Sequence, residues 1–124
     1  MPQRDFEVEA CVLSWLDAKQ AADADGIRRS LSRYAETLAI GTDASEWFAG
    51  QDAFVDAHTS SPAFNAIVER IEAHREGPVA WAAIDAVVDT GTPTVLTVRM
   101  TLVLVRDGDD WHIVQTHASA PSTN

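Results

Sequence analysis

Histidine, tyrosine and aspartate side chains are the groups in this sequence best suited to acid–base chemistry. His117 stands in an alternating run, 111–119, in which Trp111, Ile113, Gln115 and His117 would share one face of a strand. Because tryptophan and isoleucine favour the core, we expect Gln115 and His117 to extend that face towards an open end of the fold. A histidine there could transfer protons near neutral pH. The alternative is a structural histidine with internal hydrogen bonds.

Asp43 and Tyr34 are two further candidate catalytic residues. Asp43 lies in a predicted loop, 42–45, and is the second candidate base. Tyr34 or Gln115 could polarise a substrate carbonyl. A solvated acidic loop is the alternative interpretation of Asp43, since most acidic side chains are exposed.

Aromatic side chains supply the candidate binding surface, because aromatic groups commonly line ligand pockets. His58 lies four residues after Phe54, so both could face the same hollow from one helix. The predicted ligand-binding residues are Trp47, Phe54, His58, Trp81, Gln115 and His117. Core packing of the tryptophans and an exposed helix end for His58 are the alternatives.

Metal, cofactor and nucleic-acid sites have no support in the sequence. The four histidines show no metal-ligand spacing, and Cys11 is the single cysteine, so we expect neither a metal site nor a disulfide. Phosphate-binding loops and nucleophile elbows are absent from the sequence, and we expect no cofactor. A formal net charge of −10 disfavours nucleic-acid and membrane partners.

Length and composition predict one globular domain. The chain has 124 residues, of which 46% are hydrophobic and 23% charged. We expect a single domain over 1–124, with an ordered core over about 4–119 and a polar tail over 120–124. Acidic residues interrupt the first twenty positions, which argues against a signal peptide, and we expect a cytoplasmic location.

Apolar spacing predicts three helices. The first covers 4–20, where apolar residues recur at helical intervals. The second begins at a cap supplied by Asp23 or Asp25, and a third, shorter helix covers 51–58.

Strands are predicted over 34–40, 79–88, 94–106 and 111–119, with a short extended piece at 46–49. The segment 61–76 fits two patterns, because Ser61–Pro62 is a good helix start and the same residues also alternate. Local pattern slightly favours a helix over 62–75. Helices followed by a run of antiparallel strands indicate an α+β layout, with a hollow between the two layers.

Four groups of residues resemble a known family. They are Gly41-Thr42-Asp43 with Glu46-Trp47 and Gly50; the stretch 72–81, EAHREGPVAW; Arg99 with Thr101 and Val103; and Trp111 with Ile113, Val114, His117 and Ser119. Over about 8–119 the chain resembles the SnoaL-like branch of the NTF2-like superfamily. The resemblance implies a cone-like α+β fold, with three helices on a curved antiparallel sheet, and usually a homodimer. It therefore favours a strand over 66–76.

The resemblance leaves three functions open, because members of the superfamily include isomerases, cyclases, dehydratases, transport factors and association domains. The first is binding of a small apolar ligand in the cone of a homodimer. The second is an isomerase, cyclase or dehydratase that acts on a ketosteroid- or polyketide-like substrate. The third is a non-catalytic association module.

One face of the strand 94–106 predicts the dimer contact. Thr97, Arg99, Thr101 and Val103 are too apolar for open solvent and too polar for a dry core. We therefore expect this face to pack against a second copy of the chain. The alternatives are that the C-terminal tail covers it or that it remains partly exposed to solvent.

Overall fold

A computed structural model of the protein describes residues 1–60, 64–89, 93 and 95–120. Within these residues the elements are β1 (Gln3–Arg4), α1 (Phe6–Gln20), α2 (Ala24–Ser30), β2 (Leu38–Ile40), β3 (Trp47–Ala49), α3 (Gln51–Thr59), β4 (Asn65–Glu76), β5 (Val79–Asp89), β6 (Val95–Asp107) and β7 (Asp110–Ser119). All of these strands form one sheet in the order β1-β4-β5-β6-β7-β2-β3, with only β2 and β7 parallel. The predicted α+β fold, three helices packed on a curved antiparallel sheet, is confirmed.

The ambiguous segment is a strand. β4 pairs with β5 from Asn65↔Asp89 to Glu76↔Val79, and the turn between them contains Gly77 at a φ of +59°. Strand pairing over this length satisfies the backbone hydrogen bonds of both segments, which outweighs the local helical spacing. The start predicted for the alternative helix, 61–62, lies outside the described residues.

Polar contacts fix the start of α1 against β4. Asp5 caps the helix by accepting hydrogen bonds from the backbone N–H groups of Glu7 and Val8, at 2.8 and 3.0 Å. The Asp5 carboxylate also pairs with Arg75 Nε at 2.8 Å. The prediction that the helix begins at residue 4 is wrong, because Asp5 is the cap and α1 therefore begins at Phe6.

The predicted strand over 34–40 is wrong in its first half. The backbone N–H of Thr37 donates to the Tyr34 carbonyl, so these residues form a turn, and β2 contains only Leu38–Ile40. Apart from Ala120, the predicted polar tail lies outside the described residues.

The core lies between the three helices and the concave face of the sheet. Trp15 and Leu16 of α1 and Phe54 of α3 are almost fully buried there. Opposite them, the inward residues of β6 are Val98, Met100, Leu102 and Leu104, which alternate with the residues of the outer face. Leu96, at the end of the same face, remains 40% exposed. The packed core therefore opens towards the end of the sheet at which Leu96 lies.

Candidate ligand-binding cavity

A cavity of about 370 Å³ lies between α1, α3 and the open end of the sheet. This volume is at the small end of the roughly 300–1,000 Å³ typical of ligand pockets. Its apolar lining includes Trp15, Leu16, Ala39, Phe48, Ala57, Phe64, Ala66, Val88, Leu96, Val98, Met100 and Ala118. The polar side chains are few: Lys19, Thr42, Glu46, His58 and Thr116. A mainly apolar hollow with a few convergent polar groups is typical of a small-molecule site.

Small residues create this space. Ala39, Ala57, Ala66 and Ala118 line the cavity from β2, α3, β4 and β7. Protein interiors are otherwise close-packed, so larger side chains at these positions would occupy the volume. The cavity therefore exists because the sequence has alanine at four positions, one on each of these elements, that face the same space.

His58 is held in one orientation by α3 and its neighbours. Its Nδ1 lies 2.7 Å from the Phe54 carbonyl oxygen, and its ring stacks on Phe54 with centroids 4.5 Å apart. The ring also meets Trp15 edge-on at 6.2 Å. Because a carbonyl only accepts hydrogen bonds, Nδ1 must carry the proton. The remaining nitrogen, Nε2, has no hydrogen-bond partner among the described residues.

Burial keeps the imidazole of His58 neutral. Desolvation, with a smaller contribution from the positive charge of Lys19, lowers the pKa of His58 to about 4. Near neutral pH, Nε2 is therefore a lone-pair acceptor on a neutral ring. It can accept a hydrogen bond from a ligand, or a proton from a sufficiently acidic one.

Lys19 places an ammonium group at the edge of the same cavity. It follows Trp15 by four residues on α1, and its Nζ lies 5.3 Å from the Trp15 ring centroid. Desolvation lowers the pKa of Lys19 to about 8, against an opposing attraction from Glu46. In the described part of the chain, Lys19 forms no ion pair with a carboxylate.

Glu46 is held in place by the loop between β2 and β3. The backbone N–H of Asp43 donates to Glu46 Oε1 at 2.9 Å, and the N–H of Gly41 donates to the Glu46 carbonyl at 2.9 Å. The Glu46 side chain passes so close to Gly41 that a Cβ there would lie 2.7 Å from it. The carboxylate is thus fixed by its own loop, close enough to act on the charge of Lys19 but not paired with it.

His117 and Gln115 do not face the cavity, and the prediction that they do is wrong. Val103 pairs with Gln115 and Leu104 with Ile113, so Val114 is an extra residue, a β-bulge, in β7. The bulge reverses the alternation, so Ile113 and Thr116 are buried. His117 and Gln115 are exposed on the outer face of the sheet.

The two tryptophans predicted to bind ligand also lie outside the cavity. Trp47 is 65% exposed, and its neighbour Phe48 lines the cavity in its place. Trp81 is 41% exposed on the outer face, where its ring stacks on His74 with centroids 6.3 Å apart. Both predictions are wrong because each tryptophan lies on the face of its strand that points away from the cavity.

The remaining predicted residues have different surroundings. Asp43 is exposed in its loop, where hydrogen bonds from the backbone and side chain of Ser45 lower its pKa and weaken it as a base. Tyr34 is 55% exposed and lines a separate surface groove with several arginines. Phe54 is fully buried beneath His58, so it supports the cavity without lining it. Of the predicted residues, the structure brings only His58 to the cavity wall.

Lys19 and Glu46 were missed as site residues. Lys19 is the only lysine in the sequence, and its i+4 spacing from Trp15 puts both on one face of α1. That spacing is the signal that could have found it. The described residues contain no group of three or more side chains arranged to hold a metal ion.

Comparison with solved structures finds the same fold in proteins of several descriptions. An NTF2-like superfamily protein from Salmonella enterica is 18% identical, with a TM-score of 0.81 over 95% of this chain and 91% of that one. A provisionally described calcium/calmodulin-dependent protein kinase type II association domain from Thiobacillus denitrificans is 22% identical, with a TM-score of 0.80 over 92% and 94%. A provisionally described dehydratase of the NTF2-like family from Streptomyces avermitilis is 13% identical, with a TM-score of 0.80 over 94% of both chains. These likenesses define an NTF2-like cone.

The family follows from the sequence itself. The model of the SnoaL-like domain matches residues 8–123, and the chain belongs to that family. A search of curated proteins found no significant match. In the described residues, no helix is both long and apolar enough to cross a membrane.

Proposed function

We propose that this SnoaL-like domain binds a small, largely apolar molecule in the cavity between α1, α3 and the sheet, and that it does so as a homodimer. The cavity carries the proposal. Its wall is mainly apolar, and Lys19, Glu46 and His58 converge on it from three different segments. A domain whose only role is association has no need of such a hollow, so the cavity favours ligand binding.

The outer face of the sheet supports the homodimer. Val103 and Trp81 are 38% and 41% exposed there and pair with each other across β6 and β5. Arg99 lies on this face too, with its Nε 3.7 Å from Asp85 of the same chain. Exposed apolar side chains interleaved with a few polar ones are typical of a surface that packs against a partner.

Calorimetric titration with 2-naphthol, a two-ring apolar molecule with one hydroxyl, tests the binding proposal. We expect one site per chain. Ala118→Phe places a ring in the cavity and should weaken binding at least about tenfold, because the ring and the ligand cannot occupy the same volume. Ala49→Phe, on an exposed position of β3, is the matched control and should bind as the wild type does. Binding that Ala118→Phe leaves unchanged would contradict the proposal.

Acid–base catalysis is the second candidate function, and the free Nε2 of His58 favours it. A base with a pKa of about 4 is fully deprotonated near neutral pH but weak, so it suits only an acidic substrate proton, such as one next to a carbonyl. Weak basicity is the reason we place catalysis after binding.

Deuterium exchange tests catalysis without knowledge of the natural substrate. In D₂O, an active cavity should accelerate exchange of the protons next to the carbonyl of 2-tetralone above the buffer rate, as followed by NMR. His58→Gln should abolish the acceleration, and His74→Gln, on β4, should not. Equal rates for the wild type and His58→Gln would exclude His58 as the base.

A further inference from the structure

Lys19 is a cation on a mainly apolar cavity wall, and it has no ion pair among the described residues. It is the only lysine in the chain, and α1 places it beside Trp15, which is fully buried. Five of the eight arginines pair with a carboxylate, as Arg4 does with Glu9 at 3.0 Å and Arg75 with Asp5 at 2.8 Å. The arginines without such a pair among the described residues, Arg29, Arg33 and Arg106, are exposed to solvent. Lys19 lies against the Trp15 ring instead, with no carboxylate partner in the part of the chain that the structure describes.

Few charged groups face Lys19 from the elements packed around it. The β2–β3 loop contributes Glu46, whose Oε1 already accepts a hydrogen bond from Asp43. α3 contributes His58, which is neutral near pH 7. The cavity-lining residues of β4, β5, β6 and β7 are apolar apart from the hydroxyl of Thr116. A desolvated ammonium in such a site is unfavourable until an anion pairs with it.

We propose that the ligand of this cavity is a small carboxylic acid with an apolar body, and that its carboxylate pairs with Lys19. This inference rests on the proposed binding function and names the chemical class of the ligand. The body occupies the wall formed by Met100, Leu96 and Ala118, and the carboxylate meets Nζ at the edge of α1. A single negative charge fits best, because Glu46 repels a group with a second one.

A pair of ligands that differ only in charge tests the inference. The probes are 2-naphthoate and 2-naphthamide, which share one ring system and differ in a carboxylate against a neutral amide. By calorimetry near pH 7, wild-type protein should bind 2-naphthoate at least about tenfold more tightly, the effect of one partly buried charge pair. Lys19→Met should bind the two equally, and Lys19→Arg should keep the preference because it keeps the charge.

A pH series tests the same point in the wild-type protein, with no substitution. Binding is measured near pH 7 and near pH 9.5, and 2-naphthoate is ionised at both values. Lys19 of the ligand-free protein, by contrast, is mostly charged near pH 7 and about 3% charged near pH 9.5. The affinity for 2-naphthoate should therefore fall by up to about 30-fold over this range. The affinity for 2-naphthamide should stay constant, which controls for any general effect of pH on the cavity.

The outcomes separate the two claims. If both probes bind equally well to the wild type at both pH values, the inference about Lys19 is overturned and the binding function stands. If neither probe binds, the binding function fails and the inference fails with it. A preference for 2-naphthoate that persists in Lys19→Met also overturns the inference, because another group must then recognise the carboxylate.

Discussion

His58 and Lys19 carry most of the chemistry at the scale of single residues. Both owe their properties to removal from water, which disfavours the charged form of each and lowers both pKa values. Each also repels a proton on the other, so a ligand that neutralises Lys19 should raise the pKa of His58. The cavity thus brings together two basic groups whose ordinary pKa values, 6.5 and 10.5, lie far apart.

His58 should make the stability of the fold depend on pH. Its pKa is about 4 when folded and near 6.5 when unfolded, so the unfolded chain binds more protons in between. As the pH falls from about 6.5 to 4, the free energy of unfolding should decrease by up to about 3 kcal/mol through this residue. Urea titrations across this range should show a flatter profile for His58→Phe. An equally steep profile in His58→Phe would contradict the assignment.

Lys19→Met should stabilise the protein. The folded pKa of about 8 lies below the ordinary value of 10.5, so burying the ammonium costs stability at neutral pH and the cost disappears as the pH rises towards 10.5. Replacing it with an apolar side chain of similar length should raise the free energy of unfolding by about 1–3 kcal/mol near pH 7. Chemical denaturation measures this directly. A less stable Lys19→Met would show that the charge is compensated within the protein.

The site was only partly predictable at this scale. His58 was predictable because its position four residues from Phe54 follows from helical geometry alone. His117 was not, because one extra residue at Val114 reverses the face, and a bulge leaves no reliable mark in a run of alternating residues.

At the scale of elements, Gly50 sets the direction in which α3 leaves β3. Its φ of +88° and ψ of 158° belong to a region that is almost restricted to glycine. α3 starts at the next residue and brings Phe54 and His58 to the cavity. The position of the base therefore depends on this backbone conformation.

Gly50→Ala should destabilise the fold by about 1–3 kcal/mol, because alanine is strained in that conformation. Gly77→Asn is the control, since the turn between β4 and β5 has a φ of +59°, which asparagine tolerates. We expect a cost below about 1 kcal/mol there. Thermal unfolding compares the two variants, and a Gly50→Ala variant as stable as Gly77→Asn would contradict the argument.

Most elements were predictable because their patterns are long. Eleven residue pairs join β5 to β6, and the sequences of both strands are long runs rich in apolar and β-branched residues. Short elements were not: β1 has two residues, and β2 retains three of the seven expected for 34–40. Such strands exist because neighbouring strands offer hydrogen bonds, and local composition does not encode that partner.

At the scale of the whole molecule, the outer sheet face is the proposed contact between two copies. Val103→Asp should shift the chain towards monomer, because a charge would be buried against the partner without a counterion. Sedimentation velocity at micromolar concentrations measures this change. Phe6→Asp, at a position 71% exposed on α1, should leave the dimer intact. A wild-type chain that sediments as a monomer would contradict the dimer.

The fold by itself does not select a function. Structures with TM-scores near 0.80 are described variously as an association domain and a dehydratase, at identities of 22% and 13%. Any function must therefore follow from the side chains that line the cone. The account therefore depends on whether that cone, and no other surface, receives the ligand.

Chemical-shift mapping tests this claim most directly. Titration of 2-naphthol into ¹⁵N-labelled protein should shift the signals of cavity residues, including the indole N–H of Trp15 and the amides of His58 and Thr116. Signals from the separate groove of about 630 Å³ lined by Arg29, Arg33 and His112 should stay in place. Shifts confined to that groove or to the outer sheet face, with the signal of Trp15 unmoved, would contradict the account.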